Sequence, residues 1–284
     1  MSTVAQQAQQ ISDRGLAMAQ RGMLFAGRAE LTKALQLIAQ ALDVQTGANT
    51  HAAALASGLT ALKEAGDFAA QGQGLGAIDV AKVAHAHQTP LLKGQAAANL
   101  SPVVAQQQYY GFAQSQLVAA TGRQPVASQV LYRLGRLQTA LAAHDAAPQA
   151  LHGPQAIVFQ QAALATDGGN YLAANELGVL LARYGQLATA RDLLARSVSI
   201  HPQVESWHNL SVVHRRLGEV ELARQADRER ELLAQKSGGS ANRAGDLVRW
   251  VDTRAFASSG GGDTPWPEAT AVKSAAATTS GQRR

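Results

Sequence analysis

The chain has 284 residues, no cysteine, 16% charged and 5% aromatic residues. That composition excludes disulfide frameworks, cysteine-type zinc sites and thiol chemistry, and argues against one thick aromatic core. The net charge is +5, but between Arg183 and Glu231 the arginines interleave with Asp192, Glu205, Glu219, Glu221, Asp227, Glu229 and Glu231. This is the pattern of ion-paired, solvated helix faces rather than of a stripe tracking phosphates, so no nucleic-acid partner is expected.

Ala, Leu and Gln dominate as far as Lys236, and β-branched runs are nearly absent, which favours helix over strand. From Ile11 to Val44 apolar residues recur at helical spacing (Leu16, Met23, Leu24, Leu31, Leu35, Ile38, Leu42) and predict a helical hairpin with its turn near Gly27 to Glu30. A third helix is predicted from Asn49 or Thr50, either able to cap it, to the neighbourhood of Phe68. Between Gly66 and Gly94 the pattern weakens around a short helix at Ile78 to Ala86. Ser101 before Pro102 then predicts a clean start, with the stop at Gly122. The next helix is predicted from Pro125 to His144, followed by a break at Pro148, Gly153 and Pro154, with a restart at Pro154 and an end before Asp167.

Two later windows superpose, Tyr171 to Gln203 and Val204 to Ser237, with Gly185 and Gly218 recurring at a period of 33 residues. The first carries Leu177-Gly178, Leu181, Gly185, Ala190, Leu194, Ser197 and Pro202; the second carries Trp207, Leu210-Ser211, Gly218 and Ala223. Small residues allow helices to cross ~8 to 10 Å apart, and large apolar ones fill the flanks. The pattern resembles the tetratricopeptide repeat, specifically over 171–236. Weaker likeness lies in Leu134-Gly135 with Ala156 and Ala163, and in Met18, Gly22, Phe25, Ala34, Ile38 and Ala41. The resemblance implies an all-α, right-handed solenoid of antiparallel helix pairs. It is organised as a degenerate helical region at 1–148, repeats at 149–238 and a flexible, disordered tail at 239–284. Asp227 and Arg230 stand where a bulky and a small residue should be buried, so the last helix is expected to present a polar outer face as a terminal cap.

No residue set reads as an active site, a cofactor cradle or a metal centre. Gly72-Gln73-Gly74-Leu75-Gly76-Ala77 fits a relaxed dinucleotide fingerprint but follows a helix rather than the strand that such a loop needs. His85 and His87, two apart, are expected at the surface. His208 and His214, six apart, do not share a helix face. HExxH, GxSxG and a phosphate loop are all absent from the sequence, and an enzyme is not expected. The first thirty residues lack a basic start followed by an apolar run, and no stretch approaches the ~20 apolar residues of a membrane span. A cytoplasmic chain without membrane insertion is therefore expected.

The remaining candidate is the groove lined by the first helices of the repeats. It should carry Leu172, Asn175, Val179 and Arg183 from one repeat, and His208, Asn209, Val212, Arg215 and Arg216 from the next. By the resemblance, such Asn and Arg side chains hold a partner's backbone or carboxylate, which makes the chain a scaffold for a peptide or helix of another protein. Self-association is the alternative activity. In the tail, the apolar segment 246–257, with Trp250 and Phe256, is a second docking candidate.

Overall fold

A computed structural model describes residues 2–69, 78–93, 99–144 and 149–236. The chain divides into a unit ending at Trp250 and another from Val251 to Arg284, and all described residues belong to the first. The glycine-rich stretch at 72–77, Pro148 and the tail with Trp250 and Phe256 lie outside the described residues. Among those described, the secondary structure is helical throughout, with no strand.

The helices are α1 (Ser2–Gln20), α2 (Leu24–Thr46), α3 (Thr50–Glu64), α4 (Val80–Ala86), α5 (Pro102–Thr121), α6 (Pro125–His144), α7 (Gln149–Thr166), α8 (Tyr171–Arg183), α9 (Leu187–Ile200), α10 (Val204–Arg216) and α11 (Val220–Lys236). A 3-10 turn, Ala65–Phe68, follows α3. The expected start at Ser101 holds: its hydroxyl accepts from Val104 N at 3.4 Å, Pro102 opens the helix, and Gly122 ends it at φ 51°. Gly185 and Gly218 sit at φ 80° and 78° in the turns after α8 and α10. That is the left-handed conformation which a residue without Cβ adopts most cheaply.

Three boundaries differ from the sequence reading. The first turn lies at Arg21 to Met23, with Gly22 at φ 80°. Gly27 is instead inside α2 at a backbone crossing, where an added methyl would sit 2.8 Å from Gly15 O. The third helix gives way to the 3-10 turn before Phe68. Finally, α7 starts at Gln149 and carries Pro154 within it. Proline lacks one N–H there, but flanking helical turns and packing on α6 carry the helix through.

One crossing recurs in four helix pairs. In α1/α2, a methyl on Gly15 would meet Gly27 O at 3.0 Å and Leu31 Cγ at 3.1 Å; in α3/α5, one on Gly58 would meet Ala113 O and Leu117 Cγ, each at 3.2 Å. In α6/α7, Gly135 lies under Ala156 O and the Gln160 side chain. In α8/α9, a methyl on Gly178 would stand 2.7 Å from Leu194 Cγ and 3.2 Å from Ala190 O. Each second helix therefore presents a small, a long and a small residue at i, i+4 and i+7: Gly27-Leu31-Ala34, Ala113-Leu117-Ala120, Ala156-Gln160-Ala163 and Ala190-Leu194-Ser197. The N-terminal register thus starts from Gly27, not from Ala34 as the sequence likeness placed it. The α3/α5 pair escaped notice because α4 and its flanks separate its two halves.

Contacts between pairs follow chain order from α6 onward, with α7 on α8 and α9 on α10. Before that, α2 packs on α6 as well as on α3, and α5 packs on α7, so both N-terminal pairs lean on α6/α7. Apolar side chains form one cluster spanning α1 to the start of α8 and another shared by α8, α9 and α10. No described helix is long and apolar enough to cross a membrane.

Candidate functional site

The first helices α6, α8 and α10 are cross-tied by polar side chains. Asn170 caps α8, its Oδ1 accepting from Ala173 N at 3.0 Å, while its Nδ2 donates to Ser128 Oγ on α6 at 2.9 Å. Ser128 donates onward to Ala163 O at 2.8 Å. One repeat later Ser197 Oγ donates to Tyr171 O at 2.9 Å, joining the start of α8 to the end of α9.

Asn175 and Asn209, predicted as groove residues, are 0% and 1% exposed and face each other, Asn209 Nδ2 donating to Asn175 Oδ1 at 3.0 Å. Their amides tie α8 to α10. Val212 is half-buried against the α8–α10 apolar cluster. Arg216 Nη1 donates to Ala182 O at 3.0 Å, closing the same α8–α10 seam at its far end. Arg183 is exposed at the end of α8. Arg215 turns to α11, with Nη2 2.9 Å from Asp227 Oδ2 and 3.2 Å from Ser211 Oγ. His208 Nδ1 lies 3.4 Å from Arg230 Nη1.

The outer face of α11 is polar, with Glu221, Arg224, Arg228 and Glu229 exposed, but Asp227 and Arg230 are not on it: they point toward α10, next to Arg215 and His208. His214, where an aromatic side chain was expected, is buried, with Nδ1 2.6 Å from Glu219 Oε2. Glu219 also receives Arg191 Nη1 of α9 at 2.8 Å. The hydrogen bond from His214 holds the Glu219 carboxyl below its ordinary range, together with Arg191 and against the opposing effect of burial.

Between α6 and α8 sits a residue that the sequence reading passed over, Glu176. It is 1% exposed, and Arg136 Nε approaches Oε1 at 3.1 Å without aligning for a hydrogen bond, which leaves that oxygen charge-paired but without a hydrogen bond. Burial pushes its carboxyl up to about 7 against the opposing pull of Arg136 and Arg183. No local pattern announces it, since Arg136 and Glu176 meet only when two repeats stack.

A second polar cluster locks α4. His87, expected at the surface, has a side chain only 6% exposed. Its Nδ1 lies 2.9 Å from Tyr109 Oη and its Nε2 3.2 Å from Asp67 Oδ2, while Phe68 and Tyr109 pack edge-on against its ring. With the proton on Nε2, Tyr109 donates to His87 and His87 donates to Asp67. Burial, with the nearby charge of Glu64, raises the Tyr109 phenol to about 12. Glu64 accepts from Gln88 N at 2.6 Å and Thr89 N at 3.1 Å, and Lys93 Nζ donates to Ala84 O at 2.7 Å and His87 O at 2.6 Å. An open cleft of about 550 Å³ lies beside this cluster, between Thr60 and Lys63 of α3 and Val83 and Ala86 of α4. His85 is exposed, as expected. No cluster of three or more His, Asp or Glu side chains able to hold a metal occurs among the described residues.

Compared with protein-family models, with curated proteins and with solved structures, the chain matches none.

Proposed function

We propose that the chain is a tetratricopeptide-like scaffold whose face along α6, α8 and α10 holds a peptide or helix of another protein. The observation that carries this reading is the crossing repeated in four helix pairs: a glycine on the first helix under a small, long, small triplet of the second. A chain that spends its small residues on stacking such pairs builds an extended face rather than an enclosed reaction chamber. Among the predicted contacts, Val212 is the residue to alter. Asn175 and Asn209 hold each other, and Arg215 holds Asp227, so changing those would disturb the scaffold first. Val179, expected in the groove, is 1% exposed within the α8–α10 apolar cluster, so the apolar contact falls to Val212, and the guanidiniums fix direction.

The test is co-purification from the native host with the full chain and with Val212→Asp, both checked for equal helicity. A protein retained by the first and lost from the second supports the face. Retention of the same protein by both places its binding elsewhere and ends this assignment.

A further inference from the structure

The last described helix pair leaves open a face that the preceding pair keeps covered. Residues 173–182 of α8 are all buried, because α6 and α7 lie on one side and α9 and α10 on the other. Moved on by the 33-residue period, Val179 becomes Val212, Ala182 becomes Arg215 and Leu187 becomes Val220. Val179 and Ala182 are 1% and 0% exposed and Leu187 is half-buried, whereas Val212 is half-buried, Arg215 is exposed and Val220 is 50% exposed. The cause is the lack of a following pair: among the described residues, no helix after α11 stacks on α10 and α11 as they stack on α8 and α9.

We infer that the chain covers this face itself, through segment 247–250, with Leu247 and Trp250 laid against Val212. Leu247, Val248 and Trp250 are the first large apolar side chains after Lys236, and only Ser, Gly, Ala, Asn, Arg and Asp lie between. A Trp desolvated on an apolar patch is the commonest anchor of such a contact.

The length of the connecting chain fits the distance. Helices α10 and α11 run antiparallel about the turn at 217–219, so Lys236 lies at the end of α11 away from that turn. With ~1.5 Å of rise per residue and ~8 to 10 Å between axes, Lys236 stands roughly 20 Å from Val212. The eleven peptide steps from Lys236 to Leu247 reach at most ~36 to 40 Å, and a Gly- and Ser-rich stretch of that length has a root-mean-square span of ~17 to 20 Å. A match of span to distance puts a tethered segment at an effective concentration of about 1 mM, so a contact with a Kd of about 0.1 mM is closed about ten to one. The same segment of a second copy meets the face only at its bulk concentration, about a thousandfold lower in a micromolar solution, which is why the tethered segment is the occupant. A partner that uses Val212 has to displace it. That consequence rests on the proposed binding face, whereas the docking does not.

The chain has no cysteine, so an introduced pair reports on a single contact. In the full chain, Val212→Cys with Arg249→Cys keeps Leu247 and Trp250 in place, and its disulfide is equilibrated in glutathione redox buffers. Gln225→Cys with Arg249→Cys is the control, since Gln225 is exposed on α11 about 16 Å from Lys236. The expected result is an effective concentration about tenfold higher for the Val212 pair than for the control, falling to the control level when Leu247→Ala and Trp250→Ala are added. Equal closure of the two pairs, or no response to the alanines, overturns the inference. A disulfide that joins two chains assigns the face to a second copy and overturns it as well. Amide exchange on the cysteine-free chain gives a second reading that leaves every helix unaltered. Protection over α10 and α11 should fall about tenfold with Leu247→Ala and Trp250→Ala while α6 and α7 keep theirs, and unchanged protection of α10 and α11 overturns the docking. Neither measurement uses a partner, so failure here leaves the co-purification test of the binding face standing.

Discussion

Glu176 is the residue at which folding and ionisation conflict. Its folded carboxyl sits at about 7 against an ordinary 4.5, so the folded state favours the neutral acid. The stability linked to that proton is fully present below 4.5 and is lost as pH rises through about 7. Removing the charge by Glu176→Gln should therefore change stability relative to the parent more favourably at pH 8 than at pH 5, by about 1 to 3 kcal/mol between the two. Urea titrations at both pH values measure it, and the comparison within each pH cancels the constant cost of altering the Arg136 environment. A difference that does not move with pH would mean that Glu176 is ionised throughout.

Gly178 tests the crossing at the same scale. A methyl there would stand 2.7 Å from Leu194 Cγ, so Gly178→Ala should cost about 1 to 3 kcal/mol, and Leu194→Ala should lessen that penalty when the two are combined. Gly185→Ala meets nothing within 4 Å but must hold φ 80°, so about 1 kcal/mol is expected with no rescue by Leu194→Ala. Equal penalties at the two glycines, or strict additivity of the first pair, would argue against the contact geometry.

At the scale of elements, α4 is too short to stand alone and owes its place to side chains of α3, the 3-10 turn and α5. Glu64 receives the backbone of Gln88 and Thr89, and Tyr109 with Asp67 holds His87. Burial by itself would raise the Glu64 carboxyl, but the hydrogen bonds from Thr89 and Gln88 outweigh it and leave the group lowered from 4.5. The sign is then opposite to that of Glu176: this contribution is present above 4.5 and is lost as pH falls through the lower folded value. Protection of the amides from Val83 to His87, relative to their intrinsic exchange rates, should fall in acid while α8 stays protected. Glu64→Gln should show fast exchange of α4 already at neutral pH, and unchanged protection there would show that α4 is held without the Glu64 carboxylate.

For the whole molecule, the packing order makes a directional claim. Both N-terminal pairs rest on α6/α7, whereas α10/α11 touches chiefly α8 and α9. A chain ending at His201 should keep α1 to α9 folded with a lowered Tm, because among the described residues it loses only the last nearest-neighbour interface. Deleting 125–168 should abolish cooperative unfolding, since α2 and α5 lose the surface that joins them to the remainder. Circular dichroism melts of the two truncations decide this, and equal damage from both would rule out α6/α7 as the keystone.

Residues close in sequence made much of this legible without coordinates. Helical spacing, the Ser101-Pro102 start, the Gly122 stop and the recurrence of Gly185 and Gly218 are local signals, set by backbone sterics and by apolar periodicity within one or two helices. Tertiary structure alone decided the roles of residues whose partners lie far along the chain. Gly27 resembled a turn glycine until Gly15 was laid across it, and Asn175 resembled a ligand contact until Asn209 met it. His87 resembled a surface residue, although Asp67 and Tyr109 enclose it from 20 and 22 residues away. The physical reason is that helix formation depends on each residue and its near neighbours, whereas the burial of a polar group depends on whether a distant element supplies its partner.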